Sequence, residues 1–190
     1  MNIQSWIQFI TQIKQKFNLQ TLDMSTAEFT DKIKSFYVDG VNNQLAHIKE
    51  TDSGKLRFFS NIHKSFELQK YFVFNLDKNL RSNLTKLRTS PHSLAIETGR
   101  YQKKNPIPAD QRFCMYCKTN IENEIHFVLQ CSGLSEVRNT YRSILENKSN
   151  LPEEKFITFL LNPQNLYDTK NICLFLKEMF IKRDFNSKNT

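Results

Sequence analysis

Apolar residues recur at three- and four-residue spacing along most of the chain, which is the period of α-helices that bury one side. A first run of this kind occupies the N-terminus, at Ile3, Trp6, Ile7, Ile10, Ile13 and Phe17. A second follows Ser25-Thr-Ala-Glu28, which has the form of a helix capping box, and continues from Phe29 to about Lys49. The pattern predicts an all-α, bundle-like protein, because only four Gly and five Pro interrupt 190 residues.

The same spacing predicts further helices over residues 56–63, 76–89, 134–145, 152–161 and 168–183. Phe58 and Phe59 are expected in the core of the first of these. Residues 66–76 are apolar enough to be buried and could form a strand or a helix, of which the helix is favoured. Pro91 suits the first turn of an additional short helix that Gly99 ends. Asp168 is expected to cap the last helix.

The charged residues are distributed unevenly along the chain. The net charge is +8, and residues 51–113 hold twelve Lys and Arg against five Asp and Glu. A local basic block is the electrostatic footprint of a phosphate-binding surface, and a solvated face that aids solubility is the alternative. We divide the chain into five parts: an N-terminal helical segment (1–50), a basic helical segment (51–113), a Cys/His knuckle (114–131), C-terminal helices (132–185) and a disordered tail (186–190).

The knuckle carries the most specific motif in the chain. Cys114, Cys117, His126 and Cys131 follow the spacing C-x2-C-x8-H-x4-C. Thiolate sulfur and imidazole nitrogen are the ligands that zinc prefers, and a structural site uses all four tetrahedral positions. The separation of His126 and Cys131 suits the last turn of a short helix, with Cys131 just past its end. The motif predicts one structural zinc ion between the helices, with no position left for a reactive water and no enzymatic role.

Other interpretations of this cluster are weaker. The residues could be ordinary buried cysteines beside a core histidine. A thioredoxin-like redox motif lacks its surrounding βαβ pattern here. A zinc deaminase carries the histidine before the cysteine pair, which is the reverse order. A small zinc hydrolase would need an open coordination position. The fourth cysteine, Cys173, is interpreted as a core residue.

Targeting signals are not evident. Mean hydropathy is −0.54, and no apolar run is long enough for a transmembrane helix. The N-terminus lacks the charged and then apolar layout of a secretory signal. We therefore expect an intracellular protein, nuclear or cytoplasmic, without a membrane partner.

The basic segment and the knuckle together resemble a known family. The run Leu84-Thr-Lys-Leu-Arg-Thr-Ser-Pro-His-Ser-Leu-Ala-Ile-Glu-Thr-Gly-Arg100, followed by Arg112, Cys114, Cys117, Glu124, His126, Phe127 and Cys131, is similar to the C-terminal region of non-LTR (LINE-like) retrotransposon reverse transcriptases. The resemblance is specific over residues 84–131 and loose over the rest of 55–185. It implies a CCHC zinc element that holds RNA or DNA, with the polymerase part of a parent polyprotein as a further partner. No Y-x-D-D polymerase motif is present, so polymerase activity is not implied.

Candidate nucleic-acid contacts lie in the basic segment, at Lys86, Arg88, Arg100, Tyr101, Lys103, Lys104 and Arg112. Cationic side chains neutralise phosphates, and aromatic rings stack on unpaired bases. Arg88 and Arg100 could instead pair with Glu97 or cap helix ends. His92 could be a further contact residue, although a hydrogen bond at a helix start is favoured. Phe113 is expected to pack under the knuckle, and Glu122 and Glu124 to favour a helix N-terminus. The predicted function is a zinc-stabilised RNA- or DNA-binding module without a small-molecule substrate. A protein-interaction scaffold with a purely structural zinc is the alternative.

Overall fold

The computed structural model describes residues 11–17, 25–51, 57–62, 68–102, 105–146 and 150–187. These residues form helices and turns without a β-strand, and one isolated antiparallel bridge joins Phe113 to Ile121. The all-α prediction is confirmed. The chain divides into two compact units, Met1–Glu50 and Thr51–Thr190. Within the described parts, no helix has the length and apolar character needed to cross a membrane.

The first unit contains one long helix, α1, over Thr26–Thr51. Its predicted capping box is confirmed, because the Ser25 N–H donates to Glu28 Oε2 at 2.8 Å and the Glu28 N–H donates back to Ser25 Oγ at 3.2 Å. Residues 11–16 are also helical, and the Phe17 ring meets that of Phe36 edge-on at 5.1 Å. The earlier predicted positions Ile3, Trp6, Ile7 and Ile10 lie outside the described residues.

The second unit is built from eight described α-helices. They are α2 (Arg57–Ile62), α3 (Lys70–Val73), α4 (Lys78–Thr89), α5 (Ala95–Thr98), α6 (Ser135–Thr140), α7 (Arg142–Glu146), α8 (Glu153–Leu160) and α9 (Leu166–Ser187). Short 3₁₀ turns occupy Gly99–Tyr101, Ala109–Gln111 and Ser132–Leu134, and a π-helical turn occupies His126–Gln130. Helix α9 packs against α4, α6 and α7, so it forms the centre of the unit.

The core lies between α9 and the elements around it. Its fully buried apolar side chains come from α4, the π turn, α8 and α9, and include Leu84, Leu87, Phe127, Ile157, Leu160, Phe175, Leu176 and Met179. Cys173 is buried among them, as predicted, and burial raises the pKa of its thiol to about 11. Phe58 is buried, whereas Phe59 is only half-buried.

Arg88 corrects the prediction for the basic segment. Its side chain is fully buried, and its guanidinium donates to the Leu161 carbonyl and to the Gln69 side chain. The same group lies 5.0 Å from the Tyr71 ring centre. Burial lowers the pKa of Arg88. Arg88 holds α4 to the end of α8, so the prediction that it contacts phosphate is wrong.

Helix α5 begins later than predicted. Residues 91–94 are not helical, and the chain leaves α4 through Ser90, whose φ of 65° is left-handed. The first N–H of α5, at Ala95, donates to Glu122 Oε2 at 2.6 Å. A carboxylate distant in sequence, rather than Pro91, therefore caps this helix. Gly99 does end it, as predicted.

The other predicted bounds also shift. Only Lys70–Val73 is helical in the described part of 66–76, and Tyr141 interrupts the predicted helix over 134–145. Asn165, not Asp168, caps α9, because its Oδ1 accepts the Asp168 N–H at 2.8 Å. Helix α9 continues to Ser187, so the tail predicted from residue 186 is partly helical. Residues 188–190 lie outside the described part.

Candidate metal centre

The four motif residues converge on one point. The ligand atoms of Cys114, Cys117, His126 and Cys131 all lie within 4.8 Å of one another. Cys114 Sγ is 3.7 Å from Cys131 Sγ, and Cys117 Sγ is 3.3 Å from His126 Nε2. A tetrahedral zinc ion would separate its sulfur and nitrogen ligands by about 3.5–3.8 Å. The arrangement fits a metal ion, and the sulfurs are too far apart for a disulfide.

A tight loop presents the first two cysteines. The Cys114 N–H donates to the Asn120 carbonyl at 2.7 Å, and the Lys118 N–H donates back to the Cys114 carbonyl at 2.8 Å. Lys118 adopts a φ of 57° at the tip of this loop. The pair of bonds curls residues 114–120 into a knuckle, so that two cysteines three positions apart aim at one site.

A π-helical turn presents the other two ligands. Asn123 starts the helix, because its Oδ1 accepts the His126 N–H at 2.8 Å and its carbonyl accepts the Phe127 N–H at 2.9 Å. The Cys131 N–H then donates to the His126 carbonyl at 2.8 Å, across five residues instead of four. Residues five apart lie about 140° from each other around an α-helix. The wider π turn brings His126 and Cys131 to the same side, and such turns are frequent at functional sites.

The sulfur atoms occupy different electrostatic settings. Burial raises the pKa of Cys114 to about 12. The backbone N–H groups of Cys117 and Tyr116 bond its sulfur and act in the opposite direction, but their effect is smaller. Burial also raises the pKa of Cys131, whose sulfur receives the Gly133 N–H. Burial acts on Cys117 in the same direction, but the Thr119 hydroxyl at 3.1 Å and two backbone N–H groups outweigh it and lower the pKa to about 6. All three sulfurs therefore face N–H donors that suit thiolates bound to a cation.

A buried ion pair ties the cluster to α9. Arg183 donates to both carboxylate oxygens of Glu122, at 2.6 Å and 2.9 Å, and both side chains are buried. The Cys114 Sγ lies 3.9 Å from the same carboxylate. Because Arg183 also donates to the Ser93 carbonyl at 2.9 Å, one guanidinium joins α9, the chain before α5 and the knuckle.

The two acidic residues beside the motif have different settings, and only Glu124 lies at the helix start. Glu122 lies before the helix and accepts bonds from Arg183 and Ala95, so it does not act through the helix dipole. Glu124 is buried, and its Oε1 lies 3.2 Å from His92 Nε2. Because Glu124 is the first residue of the helix that Asn123 starts, His92 forms its bond at a helix start, as predicted. Charge and spacing alone carried no signal for these pairs, because their members lie far apart in sequence.

The candidate nucleic-acid contacts separate into internal and exposed residues. Arg112 donates to the Ile107 carbonyl at 2.8 Å and to the Ile96 carbonyl at 2.7 Å, so its guanidinium is directed inward. Arg100 lies 3.7 Å from the Glu97 carboxylate. Lys86 and Tyr101 are exposed, with 56% of the Tyr101 surface accessible.

Lys103 and Lys104 lie outside the described residues. Phe113 was expected beneath the knuckle, but it is 51% exposed, because its neighbour Cys114 takes the inward position on this extended stretch. The structure therefore brings the four predicted ligand residues together. It leaves two of the predicted contact residues, Lys86 and Tyr101, exposed at described positions.

Gly133→Ala is expected to destabilise the second unit by about 1–3 kcal/mol, because overpacking forces neighbouring atoms to shift. A Cβ at this position would lie 1.6 Å from Cδ1 of Tyr116, whose ring packs between the knuckle and the turn after Cys131. Thermal unfolding followed by circular dichroism measures the effect.

Gly40→Ala is the matched control. No atom lies within 4 Å of the corresponding Cβ in α1, so we expect alanine to stabilise that helix by about 0.5–1 kcal/mol. An unchanged melting temperature for Gly133→Ala would show that Tyr116 does not pack as described.

Fold and site together define a small all-α protein with a buried Cys₃His cluster suited to a metal ion. No protein-family model, curated protein or solved structure matches the chain.

Proposed function

We propose that this chain is a zinc-stabilised nucleic-acid-binding module. The observation that carries the metal part is the convergence of four ligand atoms within 4.8 Å, three of them on largely buried side chains. Three thiolates and one imidazole form a donor set that suits zinc. Magnesium and calcium take oxygen ligands instead. Cys114, Cys117, His126 and Cys131 would hold one ion. With four protein ligands, its role is structural.

The nucleic-acid part rests on charge. The segment before the cluster carries an excess of seven positive charges, whereas the rest of the chain is nearly neutral. The Glu122–Arg183 pair and the metal hold this segment against α9, which favours a fixed basic surface over a mobile tail. Phosphate contacts by Lys and Arg make binding strongly salt-dependent.

The origin that we propose is the C-terminal region of a non-LTR retrotransposon protein. Support comes from the sequence run over residues 84–131 that resembles this family. The polymerase part of such a protein would then be a second partner.

One experiment tests both parts on the full chain. Metal content by mass spectrometry of the native protein should give one zinc per chain. Binding to labelled single-stranded RNA across a salt series should then show an affinity that falls by roughly 0.7 logarithmic units per contacted phosphate for each tenfold increase in salt. Absence of zinc would contradict the metal assignment.

The salt series also separates the rival function. A protein-interaction scaffold uses the same zinc but has no reason to bind RNA or DNA at moderate salt. One zinc per chain without nucleic-acid binding would therefore favour the scaffold.

A further inference from the structure

The outward side of α4 carries a row of basic and hydroxyl residues, of which Lys78 and Lys86 are exposed and the others are half-buried. Lys78, Arg81, Ser82, Thr85 and Lys86 project within about 140° around the helix, whereas Leu80, Leu84 and Leu87 take the other side and face the core. Three of the five are cations, whereas the Thr85 hydroxyl already donates to the Arg81 carbonyl at 3.2 Å. Such a set matches the acceptor oxygens of a phosphate chain.

An aromatic ring is held beside this surface. Phe72, on α3, is 41% exposed, and the Arg81 guanidinium lies 5.5 Å from its ring centre. Its neighbour Tyr71 is buried, and the centre of its ring lies 5.0 Å from the Arg88 guanidinium. The Thr85 hydroxyl lies 3.4 Å from the Tyr71 hydroxyl. Tyr71 and Arg88 thus hold α3 on α4, which keeps the Phe72 ring next to Arg81 with one part open.

The surface also lacks charge compensation within the described residues. No ion pair there involves Lys78, Arg81 or Lys86. Asp77, which directly precedes α4, already accepts the N–H groups of Asn79 at 2.8 Å and Leu80 at 3.2 Å with its Oδ1. Leu68 and Val73 add exposed apolar area beside Phe72.

We infer that this face of α3 and α4 binds a single-stranded nucleic acid. The inference rests on the function proposed above and locates its binding surface. Lys78, Arg81 and Lys86 contact successive phosphates, and the exposed part of the Phe72 ring stacks on an unpaired base. A duplex is disfavoured as the ligand, because its bases are stacked on each other and present no free face to the ring. This surface replaces Arg88 and Arg112, which the fold turns inward.

The test compares charge-matched variants of the full chain. Lys78→Gln, Arg81→Gln and Lys86→Gln are combined in one protein. The control combines Lys155→Gln, Lys170→Gln and Lys177→Gln, three exposed lysines on α8 and α9. Affinity for a labelled single-stranded RNA, the same DNA sequence and its duplex is measured across a salt series. The α4 variant should reduce the slope of log affinity against log salt concentration by about 2 in magnitude, which corresponds to the loss of three phosphate contacts.

Phe72 provides a second readout that charge does not affect. Phe72→Leu should weaken single-stranded binding at least about fivefold, which is the lower end of the effect of one stacked base. Phe72→Tyr keeps the ring and should bind as the unmodified chain does. Duplex binding should respond to neither substitution.

The outcomes separate this surface from the general function. If the unmodified chain binds no nucleic acid, the proposed function fails and this surface fails with it. If it binds but both triple variants lose affinity equally, only net charge matters and the surface is wrong. If Phe72→Leu and Phe72→Tyr behave alike, base stacking is wrong. A difference in affinity between the single-stranded RNA and the single-stranded DNA would show which of the two the surface prefers.

Discussion

Cys114→Ala is expected to unfold much of the second unit. The substitution removes one of four ligands, and a structural zinc contributes about 10–16 kcal/mol of binding free energy that is also folding free energy. A domain of this size has a total stability of about 5–15 kcal/mol, so little remains without the metal. We expect a loss of bound zinc by mass spectrometry and of the cooperative thermal transition by circular dichroism. Cys117→Ser and His126→Ala should behave in the same way.

Cys173→Ala is the matched control for this result. It removes the same side chain from an equally buried position that is not part of the cluster. We expect it to keep one zinc per chain and to lose about 1 kcal/mol through the small cavity. If Cys114→Ala kept its melting temperature in a buffer treated with chelator, the structural role of the metal would be refuted.

Arg183→Met is expected to destabilise the second unit by about 3–5 kcal/mol, because it leaves the Glu122 carboxylate buried without a counter-charge. The two side chains are 5% and 1% exposed, so water does not replace the lost partner. Glu122→Gln should also destabilise, although its amide oxygen can still accept the Ala95 N–H. Chemical denaturation of the full chain in excess zinc measures both.

The double variant distinguishes a buried pair from two independent contacts. Glu122→Gln with Arg183→Met leaves no isolated charge, so its cost should be clearly smaller than the sum of the two single costs. Lys182→Met is the control on the same helix. Its partner Glu136 is exposed, and the pair should matter little for stability. Strictly additive costs for Glu122 and Arg183 would argue against their direct interaction.

Local sequence information predicted the helices where the signal is itself local. The Ser25–Glu28 capping box operates within four residues, and α4 follows the apolar spacing of Leu80, Leu84 and Leu87. The Cys₃His cluster was also predictable, because residue type and spacing limit how Cys114, Cys117, His126 and Cys131 can meet. The predicted starts of α5 and α9 were wrong, since Glu122 and Asn165 supply caps that apolar spacing does not reveal.

The charged residues show where local reasoning ends. Arg88 and Arg112 are indistinguishable from Lys86 in a count of basic residues, yet the fold turns both arginines inward. Arg88 meets the carbonyl of a residue 73 positions away, and Arg183 meets a carboxylate 61 positions away. A guanidinium is buried only where several acceptors converge on it, and such convergence is set by packing.

The sequence by itself determined the helical class, the principal helices and the members of the Cys₃His cluster, because period and residue spacing are short-range properties of the chain. The tertiary structure decided which basic side chains are buried, which stay exposed and how the knuckle is tied to α9. It also decided the π turn that aligns His126 with Cys131. These features depend on the meeting of distant segments, and the free energy of a buried charge depends on the groups that surround it.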